Sequence, residues 1–180
     1  MKPIRRLCVA LLVLWILCRV SLCCAQVAPS VQDTMDAIVT RMYGTLDAGT
    51  LARLDDAAIQ TFITPEERRI LATKYWCFDA NEPVIVSVMR DTAQPVAPFW
   101  LIENGFQKTD GIVRNEHYEY EVWRKSFAAG RVELGINGFD KHRPHYFVCA
   151  GPQNAGGKLE LTNFRSEEHT SELQSPLNNS

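Results

Sequence analysis

Past residue 25 the sequence is short of several things. Only two cysteines, Cys77 and Cys149, remain there, so no dense disulfide framework can hold the chain together. Histidine is scarce, with four in the whole sequence. No G-x-S-x-G, H-E-x-x-H, P-loop or dinucleotide-binding glycine pattern occurs, which removes the commonest signatures of a serine hydrolase, a zinc peptidase or a nucleotide-binding enzyme. A basic stripe or basic tail is also lacking. Residues 26–164 carry 18 Asp+Glu against 14 Lys+Arg, a net charge of about −4, and this balance speaks against nucleic acid or an anionic membrane surface as a partner. No internal repeat and no low-complexity run is visible in that stretch.

What is there divides into three pieces. Residues 1–25 begin with Lys2, Arg5 and Arg6, continue as an apolar run from Leu7 to Cys18, and end in Ser21-Leu22-Cys23-Cys24-Ala25. That is the layout of a secretory signal peptide cut after Ala25. A retained anchor would need about 20 apolar residues, and Arg19 interrupts the run too early. Lipidation of Cys23 or Cys24 fits poorly, since the residue before either is not small. The expectation is a secreted or periplasmic protein without membrane contact after cleavage. At the other end, residues 165–175 (RSEEHTSELQS) resemble, codon for codon, a translated short-read sequencing adapter. Residues 165–180 are therefore expected to be a non-native, disordered tail, with the native frame cut at Phe164.

The middle piece, 26–164, is long enough for one core. Val31 to Leu46 places apolar residues at helical spacing behind Ser30 and Asp33, a capping pair. A second, shorter helix is expected over Leu51 to Phe62. Thr64-Pro65-Glu66-Glu67 signals a third helix running to about Tyr75, whose face of Ile70, Leu71, Lys74 and Tyr75 is half polar and is expected at the edge of the core. After Asn81-Glu82-Pro83 the period changes. Val84, Val86 and Val88 alternate with Ile85, Ser87 and Met89, a strand buried largely on both faces. Phe99 to Gly105 reads as a short helix stopped by glycine. Further strands are expected at about 118–127, 131–136, 145–149 and 158–162, joined by turns at Ala128-Ala129-Gly130, Asn137-Gly138 and Gly151 to Gly157. Helices first and strands afterwards define an α+β fold, with N-terminal helices on one face of an antiparallel sheet of about four to five strands.

Three groups of residues have chemical potential. Asp140, His142 and His145, with Arg143 among them, could hold a metal or clamp an oxyanion. Their setting in a turn, with Pro144 between the histidines, favours a polar turn leading into a strand. Glu116, Glu119 and Glu121 near His117 could form an acid–base set, but strand carboxylates ordinarily face solvent. Trp76, Trp100, Trp123, Tyr75, Tyr118, Tyr120 and Phe99 could line a sugar-stacking surface or, more commonly, the core. Export would permit a disulfide between Cys77 and Cys149; a buried free thiol is the other reading. No catalytic and no cofactor-binding residue is assigned.

The segments Tyr118–Phe127 (YEYEVWRKSF), Ala129–Val148 (AGRVELGINGFDKHRPHYFV) and Lys158–Phe164 (KLELTNF) resemble the N-terminal region of certain exported bacterial metallophosphoesterases, of the calcineurin-like and purple-acid-phosphatase-like type. The resemblance spans residues 30–164. In that family a dinuclear metal centre, bound by Asp, His and Asn, activates a hydroxide that attacks phosphorus. The ligands come in D-x-H, G-D, G-N-H-[DE] and G-H-x-H motifs, and only Asp140-Lys141-His142 matches one of them, in a turn instead of at the close of an apolar strand. The resemblance thus implies a non-catalytic accessory domain with no cofactor of its own. The dinuclear metal centre and the catalytic domain, its partner in cis, would lie downstream of Phe164. The alternative is a free-standing exported module that binds a small molecule or glycan.

Overall fold

The computed structural model describes residues 28–139 and 145–166. The signal-peptide segment, most of the adapter-like tail, Asp140 and His142 lie outside the described residues. The fold is α+β. Helix α1 (Val31–Thr45) starts on a reciprocal capping box: Ser30 Oγ accepts from Asp33 N at 3.0 Å and Asp33 Oδ2 accepts from Ser30 N at 3.1 Å. Where one shorter helix was expected there are two single turns, α2 (Ala48–Leu51) and α3 (Asp56–Gln60), each capped by an aspartate, Asp47 and Asp55.

Helix α4 (Pro65–Thr73) has the same reciprocal cap. Thr64 N donates to Glu67 Oε2 at 2.8 Å and Glu67 N to Thr64 Oγ1 at 3.3 Å. The Glu67 carboxylate also receives Arg41 Nη1 of α1 at 3.1 Å, so one side chain both starts α4 and ties it to α1. The hydrogen bond from Arg41 holds the Glu67 carboxyl below its ordinary value, against the opposing effect of burial. Replacing Thr64 by Ala removes one half of the cap, and an equilibrium urea titration is expected to show a loss of about 1 kcal/mol. Helix α4 is not at the edge of the core: Ile70 and Leu71 are fully buried. The helix ends at Thr73, so Lys74 and Tyr75 never belonged to the face that made it look half polar.

Seven strands follow in two antiparallel sheets. Strand β1 (Trp76–Ala80) is the centre of a three-stranded sheet in the order β5-β1-β7, where β5 is Gly130–Leu134 and β7 is Leu161–Ser166. Strand β2 (Val84–Asp91) lies inside a four-stranded sheet in the order β3-β4-β2-β6, with β3 Gln107–Arg114, β4 Glu119–Phe127 and β6 Phe147–Pro152. The chain passes from one sheet to the other through Asn81-Glu82-Pro83. Strand β7 takes in Arg165 and Ser166, opposite Cys77 and Trp76; ladder pairing uses backbone groups that any residue supplies, so the sheet runs two residues past the expected boundary.

Both sheets and the helices share one core. Phe78 and Ala80 of β1, Val132 and Leu134 of β5, and Val84, Val86 and Val88 of β2 meet Ile38, Ile70, Leu71, Trp100 and Leu101 from the helices. Its tightest point is Gly135. A Cβ there would stand 2.5 Å from Trp100 Cδ1 and 2.7 Å from the Leu71 carbonyl oxygen. Around it Trp100 Nε1 donates to Ile136 O at 2.6 Å, Tyr146 Oη to Gly135 O at 2.6 Å, and Ile136 N to Leu71 O at 2.9 Å. Helix α5 (Phe99–Glu103) carries Trp100 into this point. It then stops as expected at Gly105, whose φ is +77°. Phe106 N bonds back to Leu101 O at 2.8 Å and Gly105 N to Ile102 O at 3.0 Å, the pair of bonds of a Schellman ending.

Candidate functional site

The Schellman turn at Gly105 delivers the chain into β3, and a groove opens beside it. Pairing of β3 with β4 starts at Gln107 opposite Arg124, so Lys125, Ser126 and Phe127 of β4 run past the start of β3. The concavity at that step measures about 530 Å³; its walls include Lys108, Thr109, Arg124, Lys125 and Ser126. Phe106 is buried beneath it, edge-on to Trp100 at 5.5 Å and to Phe127 at 6.0 Å between ring centroids. Lys125 Nζ lies 4.6 Å from the Phe127 ring centroid and 5.9 Å from that of Phe106. Arg124 Nε donates to Ser87 Oγ at 3.2 Å.

On the opposite face of the four-stranded sheet from Arg124 and Ser126, Lys108 joins a buried charge network. Its Nζ stands 2.5 Å from Glu121 Oε2. Glu121 also accepts from Trp123 Nε1 at 2.8 Å and from Arg90 Nη1 at 3.0 Å. Arg90 and Glu121 are direct cross-strand partners of β2 and β4 and are only 5% and 7% exposed. Behind them Arg90 Nη2 donates to the Gln94 carbonyl, and Gln94 Nε2 donates to Asn137 O at 2.7 Å. Burial by itself pushes the Glu121 carboxyl up. Hydrogen bonds from Lys108 and Trp123 and the charges of Arg90 and Lys108 together outweigh it, and the carboxyl sits below its ordinary value.

Glu121 therefore does not face solvent, contrary to the expectation for a strand carboxylate. The acid–base set does not assemble either: Glu119 pairs with Arg114 at 2.6 Å at the end of the β3–β4 ladder, and Glu116 is exposed in the turn before it. One signal for the burial was present in the sequence. Arg90 continues the two-residue period of Val84, Val86 and Val88, so it belongs to their core-facing side, where a charge needs a partner.

His145 is exposed just before β6; Asp140 and His142, the other metal candidates, lie outside the described residues. Among the described residues no three His, Cys, Asp or Glu side chains gather as a metal site. Cys77 and Cys149 are not bonded: both are free, the first buried on β1 and the second exposed on β6. They lie on strands of different sheets, and Cys77 Sγ receives Arg131 Nη2. A thiol reagent is expected to label Cys149 in the folded protein and Cys77 only on unfolding, as read by peptide mass; protection of both without reductant would indicate a bridge.

Of the aromatic residues, Trp100, Phe99 and Tyr120 are core or fully covered. Tyr118 and Phe147, at 44% and 52% exposure, flank Tyr120 on the outer face of the four-stranded sheet, with centroid separations of 6.2 Å and 5.1 Å. No described helix is long and apolar enough to cross a membrane. No family model matches this chain, and neither a curated protein nor a solved structure matches it.

Proposed function

We propose that this chain is a non-catalytic accessory domain of an exported metallophosphoesterase. The observation that carries the reading is how the carboxylates of β4 are used. Glu121 is committed to Arg90, Lys108 and Trp123, and Glu119 to Arg114, so these acids are held in ion pairs and are not poised to transfer protons. The segments that carry the family resemblance form β4, β5, the first two residues of β6 and part of β7, and thus contribute to both sheets. The test is hydrolysis of a generic phosphomonoester with added manganese or iron. The chain alone is expected to give none, and the product of the uninterrupted gene, read past Phe164, is expected to be active. Turnover by the chain alone, or a gene without paired metal motifs downstream, contradicts the reading.

The row of Tyr118, Tyr120 and Phe147 favours a second reading, a free-standing exported module that stacks a glycan on its outer sheet face. Calorimetry with soluble oligosaccharides would show binding that is lost in the Tyr118→Ala and Phe147→Ala variants.

A further inference from the structure

We infer that the free edge of β6 docks a second copy of this chain, strand against antiparallel strand about a two-fold axis at Cys149, and that a Cys149–Cys149 disulfide closes the pair. The two sheets end in β5, β7, β3 and β6, and the first three of these edges are guarded. Strand β5 carries Arg131 and Glu133. Strand β7 meets β1 with a register shift and holds Asn163 at a φ of +51°. Strand β3 carries Lys108, Asp110 and Arg114 and shifts register between Lys108 and Ile112. Charges and bulges of this kind keep an edge from pairing with another chain. Strand β6 has neither: FVCAGP holds no charged residue, and its register on β2 runs without a shift from Phe147 to Pro152.

The ladder fixes which backbone groups face outward. Gln153 N donates to Pro83 O at 2.9 Å, and hydrogen-bonded and non-bonded pairs alternate along an antiparallel ladder. Phe147, Cys149 and Gly151 therefore bond to β2. Val148 and Ala150 turn their N–H and C=O groups to the free edge, where no bond from a described residue meets them. Their side chains pack on the core, so these outward groups are held in place. With Cys149 on the axis, Val148 of one copy exchanges both of its bonds with Ala150 of the other, and the symmetric pair does the same. The edge is thus complementary to itself, as a two-fold interface requires, and a neutral strand meets no like charge in its copy. Cys149 then faces its own counterpart as a non-bonded pair, with Cα atoms about 4.5 Å apart, inside the roughly 4.4–6.8 Å that a disulfide spans. Its side chain is exposed on the outer face of the sheet. Phe147 stands opposite Gly151, where an added Cβ would meet nothing within 4 Å, so the exposed ring has room.

Two short strands bury little area, so the reduced pair is weak and the covalent bond holds it. Formed with glutathione disulfide as oxidant, the bond takes the protons and an electron pair from the two Cys149 thiols and leaves two glutathione thiols. Oxidation of the full chain with glutathione disulfide, read by peptide mass, tests the surface. The expected product is a dimer linked Cys149 to Cys149, with Cys77 left as a thiol. Ala150→Pro removes an outward N–H that the β2 ladder does not use. It is expected to slow dimer formation about tenfold or more while Cys149 reacts with a small thiol reagent as before. Cys149→Ser/Ser126→Cys moves the exposed thiol to β4 and is expected to give mainly the glutathione adduct of the monomer. In the linked dimer the Val148 and Ala150 amides should exchange with solvent about tenfold more slowly, or slower still, than in the reduced chain. The surface is overturned if Cys149 ends mainly as the glutathione adduct, if either variant dimerises as fast as the unaltered chain, or if the two amides stay unprotected. It stands apart from the phosphoesterase reading, because the hydrolysis test can fail while the chain still pairs.

Discussion

Trp100→Ala lowers the unfolding free energy by about 3–5 kcal/mol, the range for deleting a large buried aromatic side chain. Trp100 is fully buried, touches Phe106 and Tyr146 edge-on or tilted, and donates to the Ile136 carbonyl. The cavity would open where helix α4, helix α5 and the chain leaving β5 converge. Trp100→Phe separates the two contributions: it keeps most of the apolar area and loses the indole donor, for a cost of about 1–3 kcal/mol from the carbonyl left unsatisfied. Gly135→Ala attacks the same point from the other side. Its methyl would overlap the indole ring and the Leu71 carbonyl, and a cost of about 1–3 kcal/mol or more is expected from overpacking. Since these two residues touch, the Trp100→Ala/Gly135→Ala double variant should be less destabilised than the sum of the singles. Urea midpoints for the four proteins check this.

Glu121→Gln is the second large effect, about 3–5 kcal/mol, because it removes the charge that pairs with both Arg90 and Lys108 in the sheet interior. Arg90→Met alone should cost a similar amount. The Arg90→Met/Glu121→Leu pair should recover much of the loss, since a buried ion pair replaced by apolar residues of similar volume is often neutral. The same pair sets a pH dependence. Glu121 has a folded pKa below its ordinary value of 4.5, so the stability it contributes is complete above about that value and is lost as pH falls through the lower folded pKa. Glu67, held down by Arg41, and Asp79, held down by Asn163 and Arg131, shift the same way. The urea midpoint is therefore expected to be flat from neutral pH down to about 5 and to drop below that. In Glu121→Gln the acid-side drop should be smaller.

Local signals marked the helices well. The caps at Ser30 and Thr64, proline at the first position of α4 and glycine after α5 act within one turn, so they can be read without knowing the fold. Strand β2 was legible through its valine alternation, as were the strands that follow clear turns. Two strands were not. Strand β1 has five residues, begins three residues after α4 ends and contains Asp79, so neither its length nor its pattern separates it from the preceding helix. Strand β3 is an edge strand, polar and exposed along most of its length, with a register shift between Lys108 and Ile112; edges lack the alternation that burial imposes. Missing β3 also hid the groove, because Lys108 comes from β3 while Arg124 and Lys125 come from β4. The Arg90–Glu121 pair spans 31 positions in sequence, and only the register of β2 on β4 brings the two residues together.

Native-state amide hydrogen exchange tests most directly that both sheets and the helices close on one core. The slowest amides are expected together in β1, β2, β5 and helix α4, with one common opening free energy equal to that of global unfolding. Distinct protection levels for the three-stranded and the four-stranded sheet would contradict it.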